Sequence, residues 1–274
     1  MRNRARALSL LLLVAALDQV PGGVAEPVGA PSGSPVRIVA LGDSTTATAR
    51  DWAPEIKEVY ADCLPAALAR RGLPVVVFNA GIGDTTTREA VARLDRDVLS
   101  HHPNLVVVQF GINDSWIDVD QGKTRPRLSR SEYRDNLRTI IRRVREQGAA
   151  VVLMTPNSMR WEDPYYIKAF TDHPGLLDVK DVQGINRLLA IYAQDMREVA
   201  RSESVPLLDI YRAFEQYGKM PGRSVNDLLL AGDGFHPNQA GQRLVCRLLS
   251  DRIAHLLGHQ GPAPRLDGSS ERQR

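Results

Sequence analysis

The sequence predicts an α/β fold in which a five-stranded parallel sheet lies between two layers of helices. Five short, β-rich segments recur along the chain, and each is apolar on both of its alternating faces. Such strands are typical of a parallel sheet that is covered on both sides. Longer amphipathic segments separate them, and strand alternating with helix is the pattern of βαβ units. The expected architecture is therefore a three-layer α/β/α sandwich.

The predicted strands are rich in valine, leucine and isoleucine, which suit a pleated and buried surface. Each is short enough to be a strand rather than a buried helix. In chain order the five strands span residues 36–41, 75–78, 105–110, 150–154 and 206–210.

The predicted helices lie between and after these strands. The third opens with Ser129 and Glu132 in capping-box spacing and ends before Gly148. The last has Pro237 at its expected first turn, where the missing N–H needs no partner. Pro65 leaves the start or the straightness of the first helix open. In chain order the five helices span residues 55–71, 88–100, 129–147, 179–201 and 237–257.

The two ends of the chain differ in composition from its middle. Residues 1–25 combine an arginine-rich start, a short apolar stretch and a small-residue site, as in a cleaved secretory signal. The apolar stretch is shorter than the roughly 20 residues of a membrane span, and a signal anchor is the alternative. Residues 26–35 are expected to form a flexible lead-in and residues 259–274 a disordered tail. We therefore expect one domain over residues 36–258, secreted or periplasmic and without stable membrane insertion after signal cleavage.

Net charge and cysteine content limit the classes of partner that the chain can be expected to have. The 274-residue chain has a formal charge of +3, and residues 1–25 hold three Arg and one Asp. The remainder is nearly neutral, so no nucleic-acid partner is expected. Cys63 and Cys246 have two open interpretations, because export would permit a disulfide and two buried thiols would also serve as small apolar side chains. The oligomeric state is not determined by these features.

Chemically distinctive side chains follow the predicted strands at their carboxyl ends. Ser44 comes after the first strand and Asn113 after the third. Asp233 and His236 lie just before the last helix. Sites in open parallel sheets gather at this edge. A serine becomes a nucleophile beside an imidazole, a carboxylate orients that imidazole, and an amide stabilises the resulting oxyanion. This combination indicates acyl transfer from an ester.

Four short blocks in the expected order carry a family resemblance. They are Gly42-Asp43-Ser44, Gly83 within Gly-Ile-Gly-Asp-Thr-Thr, Gly111-Ile112-Asn113-Asp114 and Asp233-Gly234-Phe235-His236. With these blocks, residues 36–257 resemble the SGNH, or GDSL-type, hydrolases. The resemblance implies a flavodoxin-like sheet with strand order 2-1-3-4-5.

The same resemblance implies a role for each block. Ser44 would be the nucleophile, His236 the general base and acid, and Asp233 the residue that orients His236. The oxyanion hole would consist of the backbone N–H groups of Ser44 and Gly83 and the side-chain amide of Asn113. No metal and no cofactor are implied.

Three aspartates within these blocks have a different interpretation. Asp43, Asp84 and Asp114 each lie where a short carboxylate can accept hydrogen bonds from loop amides. We expect them to be structural rather than catalytic.

Two long connections, residues 114–128 and 156–178, leave strand ends and can wall the pocket. They carry four candidate substrate contacts: Trp116, Arg160, Trp161 and Tyr165. Flat aromatic rings with cations suit a sugar ring or a compact polar ester, although such aromatics also anchor long loops.

The sequence therefore predicts an exported serine ester hydrolase that acts through an acyl-enzyme on small or carbohydrate-linked acetyl esters. A lysophospholipase or lipase-type esterase and an O-acyltransferase are the alternatives on the same scaffold. A catalytically inactive binding module is disfavoured because Ser44, Asn113 and His236 are all present.

Overall fold

The structure is a computed structural model that describes residues 35–48, 53–160 and 185–258. The predicted signal at residues 1–25 and tail at residues 259–274 lie outside the described residues, as do Trp161 and Tyr165. Within the described residues the strands are β1 (Val36–Gly42), β2 (Val75–Gly81), β3 (Leu105–Gln109), β4 (Ala150–Met154) and β5 (Leu207–Leu208). They form one parallel sheet in the order β2-β1-β3-β4-β5, which confirms the predicted topology.

Helices cover both faces of this sheet. They are α1 (Tyr60–Ala69), α2 (Thr87–Ala92), α3 (Leu94–Asp97), α4 (Ile112–Ser115), α5 (Arg130–Glu146), α6 (Asn186–Ser202), α7 (Ile210–Gly218) and α8 (Gln239–Leu256). Short 3₁₀ turns lie at Leu99–His101, Val119–Gln121 and Val225–Leu228.

Alternate residues of β1 point into opposite layers. Ile38 and Ala40 pack into an apolar cluster with residues of α1, α7 and α8. Val39 and Leu41 pack into a second cluster with residues of α2, α3, α5 and α6. Because β1 is apolar on both faces, it can be buried between two helical layers. The predicted α/β/α sandwich is thus confirmed.

Two strand predictions need correction. The second strand continues to Gly81, because β1 and β2 stay paired through Gly42 and Gly81. The fifth strand has two residues rather than five. The Asp209 side chain accepts a hydrogen bond from the Arg212 backbone N–H, and this cap starts α7, a helix that the sequence analysis missed.

The helix predictions differ mainly at their ends. The predicted helix over residues 88–100 is broken at Arg93, whose buried guanidinium bonds carbonyl oxygens of the sheet. The first helix starts at Tyr60 and contains Pro65. In the last helix Asn238 is the cap, so Pro237 precedes the helix instead of opening it. Ser129 caps α5 as predicted, by accepting from the Glu132 N–H. The predicted helix over residues 179–201 can be compared only from residue 185 onward.

A disulfide joins the first and last long helices. Cys63 of α1 and Cys246 of α8 are bonded, with their Cα atoms 6.3 Å apart and 183 positions apart in sequence. The structure thus favours the bridge over two free thiols. The helices are also tied at their first turns, where Gln242 Oε1 accepts from the Tyr60 N–H at 2.9 Å. No helix in the described part of the chain combines the length and apolar composition of a membrane span.

Candidate active site

The segment after β1 folds into a tight turn that presents Ser44. The buried Asp43 carboxylate accepts hydrogen bonds from the Thr45 N–H at 2.9 Å and the Thr45 hydroxyl at 2.8 Å. The Asp43 carbonyl accepts from the N–H groups of Thr46 and Ala47. The turn passes so close to the sheet that a Cβ on Gly42 would overlap Thr46. Ser44 therefore lies on a rigid turn at the carboxyl edge of the sheet.

A second turn, before α8, carries the imidazole and its carboxylate. Asp233 Oδ1 accepts from the backbone N–H groups of Phe235 at 2.7 Å and His236 at 3.1 Å. Asp233 Oδ2 lies 2.7 Å from His236 Nδ1. One carboxylate thus fixes both the turn and the ring. His236 Nε2 lies 2.9 Å from Ser44 Oγ, although the two residues are 192 positions apart in sequence.

The hydrogen bonds determine the tautomer of His236. An ionised carboxylate can only accept, so Nδ1 must carry the proton that it donates to Asp233. Nε2 is then the acceptor for the Ser44 hydroxyl. This is the protonation state that a serine needs from a neighbouring base.

The residues after β4 support the histidine turn. Asn157 Nδ2 donates to the Phe235 carbonyl at 2.8 Å, and the Arg160 N–H donates to the Gly234 carbonyl at 2.9 Å. The Arg160 guanidinium is engaged with Glu215 at 2.9 Å and does not line the catalytic cavity. Arg160 thus supports the histidine turn through its backbone, and its expected contact with substrate stays a prediction. The sequence analysis missed Asn157, for which no local pattern gives a signal.

The other predicted oxyanion donors, Gly83 and Asn113, lie near Ser44. A Cβ added to Gly83 would lie 3.9 Å from the Ser44 Cβ, an ordinary contact distance, so Gly83 is a close neighbour of Ser44. Asn113 Nδ2 donates to the Thr85 carbonyl at 3.1 Å. That bond uses one of the two Nδ2 hydrogens. The amide is thereby held beside Gly83 and Ser44, and all three residues line one cavity.

Asp114 ties the two oxyanion segments together. Its Oδ1 accepts from the Thr87 N–H at 2.9 Å and the Thr87 hydroxyl at 2.6 Å, which joins α4 to the start of α2. Its Oδ2 is buried and has no hydrogen-bond partner among the described residues. Burial raises the pKa of Asp114 to about 7, with a smaller contribution from the Asp43 charge, while bonds from Thr87 oppose the shift. This supports the expected structural role of Asp114.

The raised pKa makes the stability of the protein depend on pH. The pKa is about 7 in the folded state and about 4 in the unfolded chain. Between these two pKa values the folded state binds a proton that the unfolded chain does not. The free energy of unfolding therefore falls as pH rises to about 7. We expect Asp114→Asn, which cannot ionise, to gain stability relative to wild type between pH 5 and pH 8, as measured by urea unfolding.

Asp135→Asn is the matched control for this measurement. Asp135 lies on α5 with a side chain that is 71% exposed, so its substitution should show no such trend. A stability difference between Asp114→Asn and wild type that stays constant from pH 5 to pH 8 would contradict the assignment.

Arg93 is a positioning residue that the sequence analysis also missed. Its guanidinium donates to the Ala80 carbonyl at 2.7 Å and the Gly42 carbonyl at 3.0 Å. It thereby ties the ends of β2 and β1, from which the Gly83 and Ser44 segments leave. Burial lowers the pKa of Arg93, and the nearby Asp97 opposes this effect. Within a predicted amphipathic helix, nothing in the sequence distinguishes Arg93 from a surface arginine.

Ser44 and His236 face a cavity of about 330 Å³. Trp116, Phe235 and Ile112 form its apolar wall, and the rings of Trp116 and Phe235 meet edge to face at 5.4 Å. Asp84 and Arg127 form its polar wall and pair with each other. The predicted candidate Trp116 thus lies at the site. Asp84 bonds an arginine there rather than the expected loop amides.

No group of three or more His, Cys, Asp or Glu side chains able to hold a metal ion is found over residues 35–48, 53–160 and 185–258.

A parallel α/β/α sandwich with a serine, a histidine and a carboxylate in hydrogen-bond contact at its carboxyl edge defines a class of serine-type ester hydrolases. The chain belongs to the GDSL-like lipase/acylhydrolase family, whose model matches residues 40–244. The family resemblance seen in the sequence is confirmed, and the chain is a carboxylic-ester hydrolase.

Individual relatives cover most of the domain. The uncharacterized lipoprotein YqeF of Bacillus subtilis (strain 168) is 29% identical over 230 residues, which span 78% of this chain and 88% of that protein. The acetylxylan esterase of Geobacillus stearothermophilus is 26% identical over 64% of this chain and 70% of that protein. The solved lipase/acylhydrolase from Enterococcus faecalis superposes with a TM-score of 0.60 at 27% identity, over 80% of this chain and 96% of that one.

Proposed function

We propose that this hydrolase cleaves esters through a covalent acyl-enzyme on Ser44. The observation that carries the proposal is the continuous pair of contacts from Ser44 Oγ to His236 Nε2, at 2.9 Å, and from His236 Nδ1 to Asp233, at 2.7 Å. Both distances are those of well-formed hydrogen bonds. Nucleophile, base and orienting carboxylate are therefore aligned without any rearrangement.

In the acylation step, Ser44 Oγ attacks the ester carbonyl carbon and its proton passes to His236 Nε2. The carbonyl electron pair moves to the oxygen, and the resulting oxyanion is held by the N–H groups of Ser44 and Gly83 and by the Asn113 amide. Loss of one such donor typically costs about 10²–10³ in kcat, or roughly 3–4 kcal/mol. Collapse of the intermediate breaks the ester C–O bond, and the departing alkoxide takes the proton from Nε2.

Water completes the cycle. It gives a proton to His236 Nε2 as its oxygen adds to the acyl carbon, and the second oxyanion occupies the same donors. The bond to Ser44 Oγ then breaks, Ser44 regains the proton from Nε2, and the carboxylic acid leaves. Asp233 keeps the ring in one tautomer and stabilises the imidazolium that exists between the two proton transfers.

The cavity supports a short acyl group on a polar or carbohydrate alcohol. Its volume of about 330 Å³ lies at the low end of small-molecule sites. The buried Trp116 and Phe235 contact each other edge to face in its apolar wall, which favours a short acyl group over a long aliphatic chain. The polar wall of Asp84 and Arg127 offers hydrogen bonds to hydroxyl groups. A relative named as an acetylxylan esterase agrees with this choice.

An ester series tests the substrate proposal. We expect kcat/KM to be highest for p-nitrophenyl acetate and to fall through the butyrate to the octanoate, because the apolar surface beside Ser44 is limited to Ile112, Trp116 and Phe235. Trp116→Ala removes part of the apolar wall and should reduce the difference in kcat/KM between the acetate and the octanoate. A maximum at octanoate or longer in the wild type would instead support the lipase-type alternative.

Adding a sugar alcohol to the same assay separates hydrolysis from acyl transfer. With a hydrolase, the amount of free acetate released per substrate consumed stays the same when the sugar alcohol is added. With an O-acyltransferase, the acyl group is transferred to a sugar hydroxyl instead. Predominant sugar ester among the products would favour the transferase alternative.

Export is also part of the proposal. Residues 1–25 have the sequence pattern of a secretory signal, and the relative YqeF is named a lipoprotein. Amino-terminal sequencing of the protein recovered outside the cytoplasm should find a start near residue 26. A full-length chain confined to the cytoplasm would contradict export.

A further inference from the structure

A second cavity, of about 380 Å³, lies in the groove between α1 and α8. It shares no lining residue with the catalytic cavity. Four arginines line it, Arg70 and Arg71 from the end of α1 and Arg243 and Arg247 from α8. The Cys63–Cys246 disulfide and two alanines of α1 form its apolar part.

The charges around this cavity are not balanced. Arg71 pairs with Asp251, and among the described lining residues Glu58 is the one that carries a carboxylate. Among the described residues, Arg70, Arg243 and Arg247 have no hydrogen bond or ion pair from their side chains. Even with Glu58 and Asp251 counted against the four arginines, the positive charge of two guanidinium groups remains.

Arg247 is the group whose environment is hardest to explain without a ligand. Its Nε is buried and has no hydrogen-bond partner in the described structure. Burial lowers the pKa of Arg247, and attraction to Asp251 opposes this effect only in part. A buried N–H donor without an acceptor costs free energy. Arg243 and Arg247 are also one helical turn apart, a spacing at which like charges repel.

We propose that this cavity binds a divalent oxyanion, either inorganic phosphate or the phosphate group of a small organic molecule. Two uncompensated guanidinium charges match a phosphate, which carries nearly two negative charges at neutral pH. The planar guanidinium fork pairs with phosphate oxygens in bidentate geometry. An anion here would supply the acceptor that Arg247 Nε lacks and would relieve the repulsion between Arg243 and Arg247.

The apolar part of the cavity distinguishes inorganic phosphate from a phosphorylated organic molecule. The cavity extends past the arginines to Ala66, Ala67 and the disulfide, which offer apolar contacts to the body of a larger ligand. A phosphorylated sugar would use both parts, whereas inorganic phosphate would use the arginines alone. The site does not depend on the ester chemistry, because none of its residues reaches Ser44 or His236.

Isothermal titration with a matched pair of double variants tests the proposal on the full folded chain. Arg243→Gln with Arg247→Gln removes two charges from the cavity. Arg201→Gln with Arg212→Gln removes two charges from exposed positions on α6 and α7 that have no side-chain partner among the described residues. Each protein is titrated at low salt with inorganic phosphate, glucose 6-phosphate and unphosphorylated glucose.

We expect wild type and the control pair to bind phosphate at one site with equal Kd, and the cavity pair to show a Kd raised at least tenfold. Tighter binding of glucose 6-phosphate than of phosphate would identify an organic ligand, and equal binding would identify the free anion. Glucose alone should not bind.

The absence of saturable binding to wild type would overturn the proposal, as would equal weakening in the control pair, which would indicate a general charge effect. Thermal melts show whether the cavity pair is folded. If it is not, Arg243→Gln alone, at an exposed position, should still raise the Kd several-fold, and an unchanged Kd in that variant would equally overturn the site.

Discussion

Replacing Ser44 with alanine is expected to lower the turnover of p-nitrophenyl acetate by about 10⁴-fold or more. The substitution removes the oxygen that lies 2.9 Å from His236 Nε2 and leaves the turn around it in place. That turn is held by Asp43, Thr45 and the backbone rather than by the Ser44 hydroxyl. The melting temperature should therefore stay close to that of wild type while nearly all steady-state turnover is lost.

Ser202→Ala provides the matched control, since Ser202 is on α6 and its hydroxyl donates to the Val199 carbonyl. Its turnover should equal that of wild type. If Ser44→Ala retained wild-type turnover, the assignment of Ser44 as nucleophile would be refuted, and family membership alone could not restore it.

Substituting Asp233 with asparagine is expected to lower kcat by about 10⁴-fold at pH 7. Asp233 Oδ1 accepts two backbone N–H bonds, and an asparagine carbonyl oxygen would keep that position. Its amide nitrogen must then face His236 Nδ1 and donate to it. Nδ1 becomes an acceptor, the proton moves to Nε2, and the ring can no longer accept the proton of Ser44.

The structure of the turn should survive this change, because its backbone bonds are retained. Asp227→Asn is the matched control on the neighbouring loop, where the carboxylate accepts from the Ser224 N–H and does not touch His236. Stopped-flow or steady-state ester hydrolysis distinguishes the two variants. A loss of less than tenfold in Asp233→Asn would show that this carboxylate does not fix the tautomer of the base.

The sheet was predictable because the sequence of each strand is itself characteristic of a buried strand. Residues such as Ile38 and Val39 must face opposite layers, so apolar character on both faces identifies buried parallel strands before any contact is known. β5 was less predictable, since Asp209 caps a helix after only two strand residues. The break at Arg93 was not predictable either, because it depends on carbonyl groups of strands that are distant in sequence.

The arrangement of the proposed catalytic residues was predictable, whereas the residues that support it were not. Ser44, Asn113 and His236 belong to short blocks with a recognisable order, and their sites at strand ends follow from topology. Asn157 and Arg93 act through backbone carbonyls, which any sequence supplies. Their side chains are ordinary polar residues in sequence and become distinctive only when their burial and partners are known.

The 192-residue separation between Ser44 and His236 has a consequence for how this protein acquires activity. Ser44, the proposed nucleophile, leaves the ribosome long before His236, the proposed base, which lies in the turn before α8. A partly synthesised or carboxyl-truncated chain therefore lacks half of the reaction centre, whatever structure it has reached. Ester hydrolysis can therefore be used to detect folded protein in which both segments are in place. During refolding, the rate at which activity returns would measure how fast α8 and the turn before it pack against the Ser44 turn.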